Sequence, residues 1–484
     1  MKQQLRKVIF ILVCGCLASC ASPKLAPTKT LAPLPEGEMA IVPDSVTLKE
    51  TPKLSTYFSD KKLVQLFEIA LASNPDIQIA KERIAIANSY LVRSKKVRLP
   101  NLDLELSASG TRFGDYTMEG VGNFDTNLSS NISERQIINT NLTPNFFVGL
   151  QSAWEADIWG KLKKLSEAAR NRYLASREGE RLVRATLFTD IAVLYFELIA
   201  LDKKLTIYEE NYALQQKAYE IIAAQRTVGK ATELAVQQFQ AQSKNLETEI
   251  SLLKIEVLEV ENALNALLGK YTYRIDRGNT LMTVNNEDSK AKEQYVRMLF
   301  NRPDVLQHYF ELQASQADAK AAKAAFLPRL VLGSRFGYNA FSAETLFLPG
   351  SLTYQLLGGL FTPLLNRSQL KLEFNVASKE QEIAFWGYQK SVIQAYTELQ
   401  TLLGKREIYQ KTLALKAQEV GHLKRAVEVA NDLYITGYAN YMELINTQKN
   451  KLTADLDLLH FELDTTLNTI VLFKALGGSL ETSQ

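Results

Sequence analysis

No proline falls between Pro144 and Pro303, and none follows Pro363, although the chain holds thirteen. A proline inside a helix deletes a backbone hydrogen bond and clashes with the preceding turn. Both proline-free stretches are rich in Ala, Leu, Glu, Lys and Gln, which are strong helix formers. From Leu162 to Gln225 the only glycine is Gly179, so one helix of roughly 95 Å fits there at 1.5 Å per residue. Its apolar residues recur at three- and four-residue steps, as in Leu187, Ile191, Leu194, Tyr195 and Leu198. That pattern suits helices packed along narrow seams rather than an ordinary globular core.

Between the helical stretches the period falls to two. Leu102, Leu104, Leu106 and Ala108 alternate with Asp103, Glu105, Ser107 and Ser109. Phe146, Val148, Leu150, Ser152 and Trp154 alternate with Phe147, Gly149, Gln151, Ala153 and Glu155. Weaker stretches run from Arg329 to Tyr338 and from Leu352 to Phe361. Four strands of about ten residues, apolar on one face, fit a transmembrane β-barrel. A half-buried soluble sheet alternates in the same way.

The second half restates the first. Asn74-Pro75-Asp76 answers Arg302-Pro303-Asp304, and Leu99-Pro100 answers Leu327-Pro328, both at an offset of 228 residues. Val228-Gly229 answers Thr436-Gly437, and Leu268-Gly269 answers Leu476-Gly477, at an offset of 208. The first copy therefore carries 20 extra residues, placed in the polar stretch from Gly110 to Asn145 against the shorter Phe341 to Gly350. Each copy reads as helix, strand, loop, strand, very long helix, tight glycine turn, helix. The expected boundaries are 56–270 for the first repeat, 271–298 for a connector, 299–478 for the second repeat and 479–484 for a tail. One helix from about Leu63 to Arg98 and another from about Thr232 to Leu267 are expected to stack end to end beside the long helix.

The first residues read as an address. Lys2, Arg6 and Lys7 precede an apolar run from Val8 to Ala18, too short to span a bilayer but right for a signal sequence over 1–19. It ends in Leu17-Ala18-Ser19-Cys20, which resembles a lipobox and makes Cys20 the expected lipidation site, with N-acyl and S-diacylglycerol groups. An ordinary signal sequence with a chance cysteine gives a similar run. Ala21 is not the aspartate that retains lipoproteins at the inner membrane, which favours the outer one. Cleavage would discard Cys14 and Cys16, so no disulfide within one chain is expected. It would also take the formal net charge from +3 to zero, leaving no basic excess to suggest nucleic acid. Residues 20–55 hold six prolines and read as an extended, lipidated linker.

Two strand pairs cannot close, and open edges are not tolerated against lipid. If the strands are membranous the chain must oligomerise, and three copies supply twelve strands. At this point the sequence resembles the TolC-like outer-membrane efflux family, in particular its lipoprotein branch serving resistance-nodulation-division pumps, over about residues 55–478. The most specific motif runs from Trp154 to Leu162 and includes Asp157, Trp159 and Gly160. Its counterpart in the second copy runs from Phe361 to Arg367 and includes Pro363. The resemblance implies a mainly α chain with a membrane β-barrel. Long helical hairpins would form a periplasmic tunnel, and a homotrimer would close twelve strands in the outer membrane. It implies an exit duct that works with a periplasmic adaptor and an inner-membrane pump. The hairpin tips, Arg226-Thr227-Val228-Gly229 and Tyr434-Ile435-Thr436-Gly437, would meet the adaptor, unless they are only helix-terminating turns. A gate would lie just beyond the second tip, at Tyr441, Met442, Glu443 and Asn446. Three Glu443 side chains would form a cation-attracting ring there; a solvated helix residue is the alternative reading.

Enzyme chemistry is not expected. His308, His422 and His460 are scattered without metal-ligand spacing, and no phosphate loop or nucleophile elbow occurs. No cofactor other than the Cys20 lipid is expected. Two rivals remain open: the same duct serving a protein-secretion exporter, and a non-transporting coiled-coil envelope lipoprotein.

Overall fold

The computed structural model describes residues 29–31, 58, 60–281, 295, 298–363 and 367–478. The expected signal sequence, Cys20, most of the linker, part of the connector and the 479–484 tail lie outside these residues. In chain order the helices and strands are α1 (Lys61–Ser73), α2 (Pro75–Lys96), β1 (Asp103–Thr111), α3 (Met118–Asn127), β2 (Thr143–Ala156), α4 (Lys161–Thr227) and α5 (Glu233–Leu267). The second half supplies α6 (Pro303–Ala324), β3 (Arg329–Ala340), β4 (Leu352–Phe361), α7 (Ser368–Thr436) and α8 (Tyr441–Ala475). The long helices α4 and α7 hold 67 and 69 residues, about 100 Å each at 1.5 Å per residue.

The chain divides into two compact units. Among the described residues, one holds 29–30, Ile86–Tyr173 and those of 310–385; the other holds the rest. The first contains a four-stranded antiparallel sheet of order β1-β2-β3-β4. Its register sets Leu104 opposite Leu150, Leu150 opposite Phe336 and Phe336 opposite Tyr354. The alternation read from sequence therefore adds up across all four strands into one apolar face. That face is uncovered: Leu106 is 69% exposed, Leu356 80% and Tyr354 79%. The opposite face gathers most of the polar and small residues, Glu105, Gly149, Gln151, Arg335, Gly337 and Gln355, together with Phe147, Val331, Leu357 and Phe361. The two middle strands are fully paired, whereas β1 and β4 each present an open edge.

The insertion in the first copy forms more than a loop. Helix α3 lies within it, and none of its residues is buried. Gly120, Gly122 and two asparagines hide this helix from a propensity reading, but the Thr117 side chain caps it by accepting from the Gly120 amide. The second copy crosses between its strands with two short 3-10 turns.

The second unit holds the main hydrophobic core. Phe58, Leu63, Phe67, Ile77, Phe188, Ile191, Tyr195, Leu198, Leu264 and Phe473 are all buried there. Phe188 sits edge-on to Phe58 at 5.0 Å and to Phe67 at 5.2 Å. Each fully buried side chain of this size contributes roughly 1.5–3 kcal/mol. Part of the connector is strapped down beside this core. Arg277 pairs with Asp202 at 2.6 Å and Glu261 at 2.5 Å, and the Gly278 amide donates to the Tyr195 hydroxyl. That hydroxyl donates to Asp60 at 2.6 Å, and burial together with this acceptor pushes the phenol's pKa up.

One expectation is corrected. The helix expected from Leu63 to Arg98 is two helices, broken at Asn74. The ring of Pro75 disfavours helical backbone at the residue before it, and Asn74 is extended, with φ −68° and ψ 127°. The break gives Asn74 two tasks. Its side-chain oxygen accepts from the amides of Asp76 and Ile77, and its amide group donates to the Leu267 carbonyl at the end of α5. The end of α5 therefore meets the break itself, where the Ser73 hydroxyl also donates to the Leu268 carbonyl at 2.7 Å.

The second copy repeats this junction with different chemistry. Arg302 stands at the position of Asn74 and donates to the Ala475 carbonyl, which answers Leu267. It also pairs with Asp304 at 2.8 Å and Glu398 at 2.7 Å. Backbone approaches are shared as well: Gly269 packs on the Ser73 carbonyl and Gly477 on that of Asn301. The internal duplication is thus visible contact by contact.

Two outcomes are expected from this junction. Gly269 has φ +67°, and a Cβ there would lie 2.4 Å from the Ser73 oxygen. Gly269→Ala should destabilise by on the order of 2–3 kcal/mol. Gly404→Ala, mid-helix with nothing within 4 Å, should stabilise by about 0.5–1 kcal/mol; thermal unfolding of both variants checks the contrast. Burial pushes the Asp304 carboxyl up, but hydrogen bonds and charge from Arg302 outweigh it and hold the carboxyl below its usual range. A depressed folded value means stability that is present above the ordinary carboxylate pKa and lost as pH falls through the folded one. Acid unfolding of Asp304→Asn should lack that part of the wild-type pH dependence.

Candidate functional site

Three groups of residues singled out by sequence can be located: the strand-to-helix junction, the hairpin tips and the segment beyond the second tip. The junction belongs to the sheet-bearing unit. Trp154 lies on the apolar face of β2 opposite Leu332, and its indole donates to the Arg98 carbonyl at 3.0 Å. Trp159 donates to the Pro328 carbonyl at 2.6 Å. Arg98 and Pro328 lie in the two equivalent passages from helix to strand, so the tryptophans of this one motif fasten both repeats. Asp157 accepts from the Leu162 and Lys163 amides at 2.9 and 2.7 Å, satisfying donors that a helix start leaves unpaired. Gly160 takes φ +73°, and Lys161 pairs with Glu155 at 2.6 Å. Glu155, Asp157, Trp159 and Lys161, with Phe361 and Pro363, line a cleft of about 480 Å³.

The tips belong to the other unit and are built alike. The Gly229 amide donates to the Arg226 carbonyl and Lys230 to Gln225; Gly437 donates to Tyr434 and Tyr438 to Leu433. This is the Schellman closure, which needs a left-handed residue. Gly229 and Gly437 supply it with φ +71° and +81°. A Cβ at either would meet nothing within 4 Å, so substitution there strains the backbone without a steric clash. Arg226 pairs with Glu233 at 2.6 Å across its turn, and Thr227 and Thr436 donate to carbonyls of their own helices. Val228 and Ile435 are exposed, 68% and 61%.

The two tips also touch each other. Ile222, Val236 and Phe239 of the first hairpin bury against Leu444, with Tyr434 and Tyr441 packed on them. The Tyr434 hydroxyl donates to the Gln225 side chain at 2.6 Å, and burial pushes the phenol's pKa up. Sequence reading did not find this contact, because the partners are about 200 residues apart.

Beyond the second tip, Tyr441 is half-buried while Met442, Glu443 and Asn446 are exposed. Glu443 has a local task that the sequence reading did not assign. Asn440 accepts from the Glu443 amide at 3.0 Å, and the Glu443 carboxylate accepts from the Asn440 amide at 3.2 Å. This reciprocal capping box starts α8. The signal was present as Asn-x-x-Glu before an apolar run. In the first copy, Thr232 caps α5 alone and the position of Glu443 is Ala235, which is buried.

Among the described residues no three His, Cys, Asp or Glu side chains gather as a metal site. Among the same residues no helix is long and apolar enough to cross a membrane. A chain that combines an apolar-faced antiparallel sheet with two long helical hairpins has the make-up of an outer-membrane channel subunit. Residues 66–270 and 295–478 match the outer membrane efflux protein family, and the chain belongs to it. The chain is 27% identical over 433 residues to the solvent efflux pump outer membrane protein SrpC of Pseudomonas putida, covering 90% of this chain and 88% of that one. It is 26% identical over 424 residues to the cation efflux system protein CusC of Escherichia coli, covering 87% and 88%. A crystal structure of CusC superposes with a TM-score of 0.79 at 24% identity, covering 95% of this chain and all of that one. The probable outer membrane lipoprotein SilC of Salmonella typhimurium is 24% identical over 98% of both chains. This protein is accordingly an outer-membrane efflux protein.

The capping box separates two roles of Glu443. Glu443→Ala should cost on the order of 1 kcal/mol in thermal stability, whereas Glu443→Gln, which can still close the box, should unfold with the wild type. Equal losses in the two variants would mean that the charge, not the cap, stabilises this end.

Proposed function

We propose that three copies of this chain close one twelve-stranded barrel in the outer membrane, and that their helical hairpins continue it as a periplasmic tunnel. The assembly is a passive exit duct, fed by an inner-membrane pump of the resistance-nodulation-division type through a periplasmic adaptor. The observation that carries this reading is the sheet of four strands with an uncovered apolar face and two open edges. Unpaired backbone groups in hydrocarbon cost several kcal/mol each, so the edges must be joined. Because the strands alternate in direction, β4 of one copy meets β1 of the next in antiparallel fashion, and the contact repeats head to tail until a ring closes. Two copies would give eight strands, a barrel whose interior side chains fill it. Three give twelve and leave room for a lumen lined by the polar face.

The relatives named for solvent and cation efflux favour small cargo over secreted proteins. A tube of this kind has no binding chemistry of its own to choose a substrate, so selection rests with the pump. Cys20 would carry a lipid that tethers the chain in the outer membrane. The exposed tip residues Val228 and Ile435, beside turns held by Gly229 and Gly437, are the surface offered to the adaptor. Met442, Glu443 and Asn446, exposed just beyond the second tip, would face the pore axis as a gate. Three Glu443 carboxylates there would attract cations.

Gly437→Val tests the tip assignment. Trimers should still assemble, since no side chain crowds that position, while efflux measured as drug or metal resistance in cells should be lost. Unchanged resistance would remove the adaptor contact. For the gate, Glu443→Gln trimers in planar bilayers should show reduced cation selectivity and weaker block by divalent cations. Identical currents would remove the ring.

A further inference from the structure

Arg335 shows how the polar face of the sheet handles a cation. It stands on β3, and its guanidinium lies 3.7 Å from the centre of the Phe147 ring on β2. It reaches Glu105 on β1 with contacts of 2.7 and 3.2 Å. Acid, ring and cation thus fasten three neighbouring strands. A Cβ at Gly149 would lie 2.6 Å from the Phe147 ring, so the glycine lets that ring lie flat under the guanidinium.

A second arginine on the same face has the ring but lacks the acid. Arg329 opens β3 opposite Phe361, the last residue of β4, and its guanidinium is 5.8 Å from that ring. Among the described residues no carboxylate lies within ion-pair distance of it. The acids of the adjoining cleft are engaged: Glu155 by Lys161, Asp157 by two backbone amides, and Glu373 by the Gln369 side chain. Beyond Phe361 the sheet ends, so the third strand is missing within this chain. At the opposite edge Asp103 opens β1 on the same polar face, and its carboxylate accepts from the Asn101 amide group at 2.7 Å.

We infer that Asp103 of a neighbouring copy completes this second fastening, so that Arg329, Phe361 and the neighbour's Asp103 clasp each junction of the ring. The inference rests on the trimer reading above. Side-chain alternation allows only pairings that keep polar face with polar face. Within the chain this holds for Asp103 with Gln151, Phe147 with Asn339, and Arg329 with Phe361. The helix-proximal ends of the two open edges are Phe361 and Asp103, and setting those ends level brings the two residues directly opposite. The order across three strands is then acid, ring, cation, as in Glu105, Phe147 and Arg335. The clasp also gives the ring its polarity, since the cation and the acid sit on different edges and only β4-to-β1 joining unites them.

Charge reversal of the full-length, detergent-purified protein tests the clasp. Asp103→Arg and Arg329→Asp should each lower the midpoint for thermal dissociation of the trimer by a few degrees, and the double variant should recover most of the loss. Asp103→Cys with Phe361→Cys should yield a covalent three-chain species on oxidation. Asp103→Cys with Leu360→Cys, which points to the other face, should not. Single reversals without effect, a double variant no better than the singles, or cross-linking through Leu360 would each overturn the inference. A wild-type mass by light scattering other than three chains would sink the ring itself. A three-chain wild type without rescue would sink only the clasp.

Discussion

The unpaired backbone of β1 and β4 sets the terms for the rest of the molecule. A four-stranded antiparallel sheet in water can leave its edges to the solvent, but this sheet pairs Leu106, Leu150, Phe336, Tyr354 and Leu356 into a face that water does not favour. Once that face is given to lipid, the edges lose their solvent partners. The chain can satisfy them only with more of itself. Oligomerisation would then follow from the backbone's hydrogen-bonding demand, and the proposed ring is the arrangement that meets it.

The duplication supplies the parts economically. Each repeat contributes two strands, a helix of nearly 70 residues and a shorter return helix, and the same contacts recur at matched positions. Asn74 and Arg302 bind equivalent carbonyls at the end of a return helix, and Trp154 and Trp159 fasten equivalent helix-to-strand passages. The copies have nevertheless diverged where a ring would use a difference. Glu443 faces solvent where Ala235 is buried, and the first copy alone carries the insertion with α3 between its strands.

Much of this was legible in the sequence, because it rests on local rules. Proline spacing and helix-forming composition predict α4 from Leu162 to Gln225, and the helix runs from Lys161 to Thr227. Period-two alternation locates all four strands, and Gly229 and Gly437 mark both turns. What escaped depends on partners distant in sequence or on competing local signals. The break at Asn74 was written in Pro75 but masked by helix formers on both sides. The Tyr434–Gln225 contact and the Arg335–Phe147–Glu105 fastening join residues about 200 apart, which no window reads. Glu443 resembled a pore acid, while its reciprocal bond to Asn440 followed from a four-residue motif that the reading passed over.

The most direct test of the central claim is electron cryomicroscopy of the full-length chain in lipid nanodiscs. The account predicts a threefold ring with twelve strands crossing the bilayer, Leu106 and Leu356 turned to lipid and β4 of each chain paired with β1 of the next. A particle with its sheets outside the bilayer, or with β1 and β4 left unpaired within it, would contradict the account.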